Sequence, residues 1–124
     1  MSYSRRDWDR AVSPLLQRLR QDGFRLWVDQ DLLIGGEDWM KAIGEALEEC
    51  SVCLLAISPD AMQSRYVRME YHFFFHNDKK IVPVIVRRVS RLPFELSGIQ
   101  HIDLTIESPS NYDQVHRALV RSVG

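Results

Sequence analysis

The sequence lacks any apolar run close to the roughly 20 residues that a membrane-spanning helix needs. Its first residues, Met1 to Arg6, also lack the apolar stretch of a signal peptide. The sequence also lacks an excess of either charge. Its 16 Lys and Arg residues nearly balance its 17 Asp and Glu residues, which gives a net charge of −1. Such a balance gives no overall attraction to nucleic acid or anionic lipid. We therefore predict a cytoplasmic protein that binds neither nucleic acid nor membrane.

Cysteine is scarce, and the two residues present, Cys50 and Cys53, have the C-x-x-C spacing of redox motifs. A reactive pair normally lies at a helix N-terminus, where the pKa of a thiol is lowered. Here Cys50 closes a helical segment and Cys53 lies inside an apolar strand. We therefore predict that both are packing residues rather than a redox centre.

Several motifs of α/β enzymes are missing. The sequence has no G-x-G-x-x-G after a strand, no phosphate-binding G-x-x-x-x-G-K-[ST] and no G-x-S-x-G. A phosphoacceptor receiver domain needs an aspartate where the third strand ends, but that run ends in Ala56, Ile57 and Ser58. His72 and His76 have the spacing of a metal pair, yet phenylalanines separate them and no Cys or further His is near in sequence. We predict no metal site.

Apolar periodicity predicts alternating helices and strands. The fully apolar runs are typical of strands buried on both faces of a parallel sheet. The predicted order is helix Asp7–Gln21, strand Phe24–Asp29, polar loop Gln30–Asp38, helix Trp39–Cys50, strand Val52–Ile57, helix Pro59–Asn77 capped by Ser58, strand Ile81–Val86, a short strand near His101–Leu104 and helix Tyr112–Val123.

This alternation implies right-handed crossovers and an α/β fold with a parallel sheet of about five strands. The first strand has only Met1 to Ser4 available, so we expect either a natural start a few residues upstream or an unusually short strand. With 45% apolar and 27% charged residues and no repeats or linkers, residues 1–124 are predicted to form one globular domain.

Glu70 is the carboxylate that best fits a functional site. On a helix its neighbours are Tyr66, Val67, Phe73 and Phe74, and none of these side chains can form an ion pair with it. A lone carboxylate among aromatic residues is partly desolvated unless it faces a cleft that a ligand can enter. The alternative is a structural glutamate on a solvated flank or paired with an arginine from elsewhere, and spacing leaves both open.

Three stretches of sequence form a pattern in a fixed order: Ser2–Asp7, then Trp27–Asp29 with Ile34–Gly36 and Trp39, then Leu54–Pro59 with Ser64–Tyr66 and Glu70. Together they resemble a TIR (Toll/interleukin-1 receptor) domain of the bacterial NAD-cleaving type. The resemblance covers nearly the whole chain. It implies a single TIR domain over 1–124 with a flavodoxin-like three-layer fold, strand order 2-1-3-4-5 and a truncated first strand.

The resemblance also implies an activity. Glu70 resembles the catalytic glutamate of TIR NAD⁺ glycohydrolases, which cleave the nicotinamide–ribose bond to give nicotinamide and ADP-ribose or a cyclic isomer. NAD⁺ is then the substrate, and no further cofactor is implied. Tyr66 stands where many relatives carry tryptophan. The residues predicted to bind substrate are Tyr3, Ser4, Arg5, Asp29, Leu33, Gly36 and Tyr66.

TIR enzymes of this type act when their domains associate, so the expected partners are other TIR domains in a homo-oligomer or filament, within bacterial immune signalling such as antiphage defence. Two alternatives stay open. One is a non-enzymatic scaffold that binds other TIR domains through its long loop. The other is a detached sensor or processing domain for a different nucleotide.

Overall fold

The computed structural model describes residues 1–26, 28, 41, 44–45, 47–106 and 108–123. The whole of the predicted loop Gln30–Asp38 and part of the strand and helix on either side of it lie outside these residues. Phe24 to Leu26, the described start of the predicted second strand, are not in strand conformation. Lys41, Gly44, Glu45 and residues 47–49 are helical, which agrees with the predicted helix Trp39–Cys50 except that Cys50 itself lies just beyond the helix.

The sheet is parallel, as predicted, and its described part has three strands in the order β1 (Val52–Ile57), β2 (Lys80–Ile85) and β3 (Ile102–Asp103). Val52 pairs with Lys80 and Ile57 with Ile85. The predicted first strand is reduced to one parallel bridge between Ser2 and Leu55, made by two backbone hydrogen bonds of 2.8 Å. The order Ser2 segment, β1, β2, β3 corresponds to 1-3-4-5 of the predicted sheet.

The first helical region begins earlier than predicted and changes its winding. A 3₁₀ turn (Arg5–Asp7) and a π turn (Trp8–Val12) lead into helix α1 (Ser13–Gln21). Gly23, at φ +95°, adopts the left-handed conformation that commonly follows a helix end. The predicted end of this helix at Gln21 is confirmed.

The predicted single helix Pro59–Asn77 is wrong, because the chain forms two helices, α2 (Pro59–Gln63) and α3 (Arg65–His76). Ser64 between them is extended (φ −80°, ψ 127°), and its hydroxyl accepts a hydrogen bond from the Val67 N–H. Serine side chains compete with helical backbone bonding in this way. The restart at Ser64 sets the direction of α3, the helix that carries Glu70.

Two further helices complete the described fold. A one-turn helix, α4 (Phe94–Ser97), lies in the segment predicted to be a loop, and α5 (Pro109–Val123) begins three residues before the predicted Tyr112. Proline is well suited to a first helical turn, which explains this earlier start. No helix in the described part of the chain is long and apolar enough to cross a membrane.

The side chains of β1 alternate between two apolar cores, one on each face of the sheet. Leu54 and Ala56 pack in a cluster with residues of α1 and α5, whereas Leu55 and Ile57 pack with residues of α2 and α3. This arrangement confirms a three-layer α/β fold. The position of each helix layer decides which residues can meet at the edge of the sheet.

Cys53 lies in β1 and is buried in the core that contains α2 and α3. Burial is the main cause that raises the pKa of its thiol to about 12. Cys50 is partly exposed, and both cysteines are free thiols. Since the thiolate is the reactive form, Cys53 is chemically protected in the folded chain.

We expect Ellman's reagent at pH 8 to modify Cys50 in the native protein and Cys53 only after unfolding. The reason is that Cys53 is both buried and held as a thiol. The rise in absorbance with time, measured with and without denaturant, separates the fast-reacting thiol from the protected one. Loss of the fast phase in Cys50→Ala would identify Cys50 as the fast-reacting thiol. Two fast thiols in the native protein would contradict the assignment.

Candidate functional site

Glu70 and Ser2 form a buried polar contact beside the sheet. Ser2 Oγ donates a hydrogen bond of 3.0 Å to Oε1 of Glu70. The Glu70 residue is 7% exposed and Ser2 is 1% exposed. Because the Ser2 backbone is itself bonded to Leu54 and Ala56 of β1, its hydroxyl gives the carboxyl group a fixed orientation. Glu70 therefore does not lie on a solvated flank.

Sequence reasoning missed Ser2, although strand alternation explains its position. Ser2 is paired with Leu55, and paired residues of neighbouring strands point to the same face. That is the face on which α3 packs. Tyr3, predicted to bind substrate, points the other way: it is buried in the core with α1, and its ring centroid lies 5.3 Å from that of Trp8.

The other predicted site residues differ in their exposure and in their contacts. The Ser4 hydroxyl accepts a hydrogen bond of 3.3 Å from the Arg6 N–H and caps the 3₁₀ turn, in which Arg5 is exposed. Tyr66 lies one helical turn before Glu70 and is 50% exposed, so its ring is accessible to a ligand. The predicted residues Asp29, Leu33 and Gly36 lie outside the described part of the chain and stay predictions.

A second polar cluster, built around Asp7, joins the strand ends. Asp7 is 2% exposed, and its Oδ1 accepts a hydrogen bond of 2.6 Å from Arg87 Nε while its Oδ2 accepts one of 2.5 Å from Ser58 Oγ. Arg87 Nη2 also donates to Asp60, and Arg6 Nη1 lies 3.5 Å from that carboxylate. The hydrogen bonds that Arg87 donates, first to Asp60 and then to Asp7, raise the pKa of its guanidinium above the ordinary value.

This cluster also positions the helix that precedes Glu70. The Ser58 hydroxyl donates to Asp7 and accepts a hydrogen bond of 3.0 Å from the Ala61 N–H, so it caps α2. The helix cap is therefore held by a buried charge. Sequence reasoning overlooked the cluster, although Ser58 directly follows β1 and Arg87 follows β2 closely, and the carboxyl ends of parallel strands meet at one edge.

His72 has a structural partner. Its Nε2 lies 3.0 Å from Oε1 of Glu95, which also accepts a hydrogen bond of 3.1 Å from the Tyr71 hydroxyl. The His72 contact is the main cause that lowers the pKa of Glu95. These bonds tie α4 to α3. Among the described residues, no group of three or more His, Cys, Asp or Glu side chains could hold a metal ion.

Together these observations define a candidate ligand site at Glu70. A buried carboxylate oriented by a hydroxyl stands one helical turn from an exposed aromatic ring. A carboxylate in such surroundings can accept hydrogen bonds from ligand hydroxyls and stabilise positive charge that develops on a ligand. An aromatic ring beside it can stack on a planar group.

Comparison with known proteins supports this fold and finds similarity to two proteins that are named as probable enzymes. The family model described as "TIR domain" matches residues 1–120. The chain is 24% identical over 88 residues to a "Probable 2' cyclic ADP-D-ribose synthase TcpO" of Methanobrevibacter olleyae, covering 68% of this chain and 26% of that protein. It is 33% identical over 79 residues to a "Probable 2' cyclic ADP-D-ribose synthase BdTIR" of Brachypodium distachyon, covering 63% and 35%.

The chain thus spans about a quarter and about a third of the length of these two curated relatives. Among solved structures, it resembles the TIR domain of the Toll-related receptor TRR-2 of Hydra magnipapillata, with a TM-score of 0.77 and 19% identity. That likeness covers 96% of this chain and 91% of the other, and it supports the predicted flavodoxin-like α/β architecture.

We expect Asp7→Ala to lower the free energy of unfolding by about 1–3 kcal/mol, because it leaves the Ser58 hydroxyl and the Arg87 guanidinium without their shared acceptor. Urea denaturation measures this loss. Arg6→Ala is the comparison, since Arg6 is 80% exposed in its contact with Asp60 and such a pair contributes at most about 1 kcal/mol. Equal losses in the two variants would show that Asp7 does not organise the edge.

Proposed function

The chain belongs to the TIR-domain family, and from this premise we propose that it cleaves the nicotinamide–ribose bond of NAD⁺ with Glu70 as the catalytic carboxylate. The observation that carries the proposal is the buried Glu70 carboxyl group, oriented by the Ser2 hydroxyl. The names of the two curated relatives support it, because a cyclic ADP-ribose is what NAD⁺ becomes when nicotinamide leaves and the molecule closes on itself.

The chemistry needs little more than one carboxylate. Nicotinamide in NAD⁺ already carries a positive charge and leaves without protonation. Cleavage passes through an oxocarbenium-like state on the ribose, as in glycoside hydrolysis. Glu70 binds the ribose hydroxyls and stabilises the positive charge that grows on the sugar. Attack by water then gives ADP-ribose, and attack by an atom of the same molecule gives a cyclic isomer.

The Ser2 hydroxyl acts as a positioning group, since it contacts Glu70 rather than the substrate in this proposal. Tyr66 stacks on a planar ring of NAD⁺, and Arg5 approaches its phosphates. Asp29, Leu33 and Gly36 complete the pocket in this proposal. We propose further that the domain is active on self-association, in the cytoplasm, within bacterial immune signalling.

A non-enzymatic scaffold is the second candidate. Phe94 on α4 is 90% exposed, and aromatic side chains are enriched at protein–protein interfaces relative to the rest of the surface. The TIR domain of a Toll-related receptor is also a close match in fold. In this alternative the domain binds other TIR domains and leaves NAD⁺ intact.

We expect Glu70→Gln to lower NAD⁺ cleavage at least about 100-fold, because the amide cannot stabilise the growing positive charge. Nicotinamide release is followed by chromatography at high protein concentration, with and without a crowding agent. Glu49→Gln is the matched control, since Glu49 is an exposed helical glutamate. The mass and retention of the second product distinguish hydrolysis from cyclisation.

We expect Ser2→Ala to lower kcat up to about tenfold with KM nearly unchanged, since one hydrogen bond that orients Glu70 is lost. Initial rates across an NAD⁺ series separate the two constants.

Full turnover in Glu70→Gln would refute the assignment of the catalytic residue. A wild-type chain that is assembled yet inactive would favour the scaffold.

A further inference from the structure

An open cavity of about 500 Å³ lies at the ends of β2 and β3, beside the π turn. Three arginines line it, Arg10, Arg87 and Arg88, together with the Thr105 side chain and the apolar Val86 and Leu104. Its volume is in the range of small-molecule sites and exceeds what a single inorganic anion occupies. Ligands of open parallel sheets bind at this edge.

The charge of the cavity wall is positive. Among its described lining residues there is no aspartate or glutamate. Arg87 is neutralised by Asp7 and Asp60, but within the described part of the chain neither Arg10 nor Arg88 forms an ion pair. Arg10 on the π turn and Arg88 in the loop after β2 thus line the cavity without an ion pair of their own, although the charge of Arg88 also acts on nearby Asp103.

One carboxylate, Asp103, stands close to this wall, and its pKa is lowered mainly by hydrogen bonds from Thr105 and to a lesser degree by the charge of Arg88. Asp103 Oδ1 accepts hydrogen bonds from the Thr105 N–H at 2.8 Å and from the Thr105 hydroxyl at 2.5 Å. These bonds fix the turn after β3, and with it the position of Thr105 in the wall. Because its hydroxyl proton is directed to Asp103, Thr105 gives shape to the cavity, and the arginines supply the donors for an anion.

The cavity is separate from the Glu70 site. Val86 and Leu104 pack against the core that contains α1 and α5, which lies on one face of the sheet. Glu70 lies on α3, and α3 packs on the opposite face. A ligand held by Arg10 and Arg88 therefore occupies a different place from one held by Glu70.

We propose that this cavity binds the phosphate group of a small phosphorylated molecule of nucleotide size. Guanidinium groups bind phosphate oxygens with paired hydrogen bonds. This favours a ligand that carries phosphate over a neutral ligand. The apolar wall of Val86 and Leu104 accommodates the organic part of the molecule. The proposal goes beyond NAD⁺ cleavage and does not depend on it, since it uses neither Glu70 nor a nicotinamide group.

Isothermal titration calorimetry with ADP tests the proposal, with adenosine and pyrophosphate as the two parts of that probe. We expect Arg10→Gln and Arg88→Gln each to weaken ADP binding about tenfold, the effect of losing a charged hydrogen bond. Adenosine should bind far more weakly than ADP, and added salt should weaken ADP binding. Arg91→Gln, which removes an exposed arginine outside the cavity wall, should leave the affinity unchanged.

Three results would overturn the proposal. Wild-type protein that binds neither ADP nor pyrophosphate has no such site. An equal loss in Arg91→Gln would reveal a general charge effect. A loss in Arg5→Gln without one in Arg10→Gln and Arg88→Gln would place the phosphate beside Glu70. Titration of Glu70→Gln keeps the two proposals distinguishable, because ADP binding at the arginine cavity should survive that substitution.

Discussion

The buried carboxylate of Asp7 is the constraint on which the arrangement of the sheet edge depends. It accepts a hydrogen bond from Ser58, which directly follows β1, and it forms an ion pair with Arg87, which lies beyond the end of β2. A charge removed from water in this way must be fully bonded to be tolerated. The three chain segments that supply these residues are therefore fixed relative to one another, and the helices that follow them begin from fixed points.

The environment of Glu70 follows from that constraint in two steps. Ser58 is held by Asp7 and caps α2, and the extended Ser64 then starts α3 in a new direction. On α3, Glu70 comes to lie against Ser2, whose backbone is bonded to β1. An uninterrupted helix from Pro59 would carry Glu70 along a different path. The break at Ser64 is thus part of how the fold places its best candidate catalytic group.

Local patterns predicted the regular elements well and the contacts between them poorly. The apolar run Val52–Ile57 identified β1 to the residue, because a strand buried on both faces has only apolar positions. The split at Ser64 was missed, since a serine in a helical pattern is compatible with either outcome until its side chain finds the Val67 N–H. Glu70 was singled out by its neighbours on one helix, whereas its contact with Ser2 spans 68 residues of sequence and depends on a strand register that spacing does not determine.

The short N-terminal segment links the two proposed sites on opposite faces of the sheet. Strand alternation sends the Ser2 side chain to Glu70 on one face and Tyr3 into the core on the other, and a few residues later Arg10 reaches the arginine cavity. Asp7 anchors the same segment between them. One bridged residue and one buried carboxylate therefore fix the segment that contributes residues to both sites.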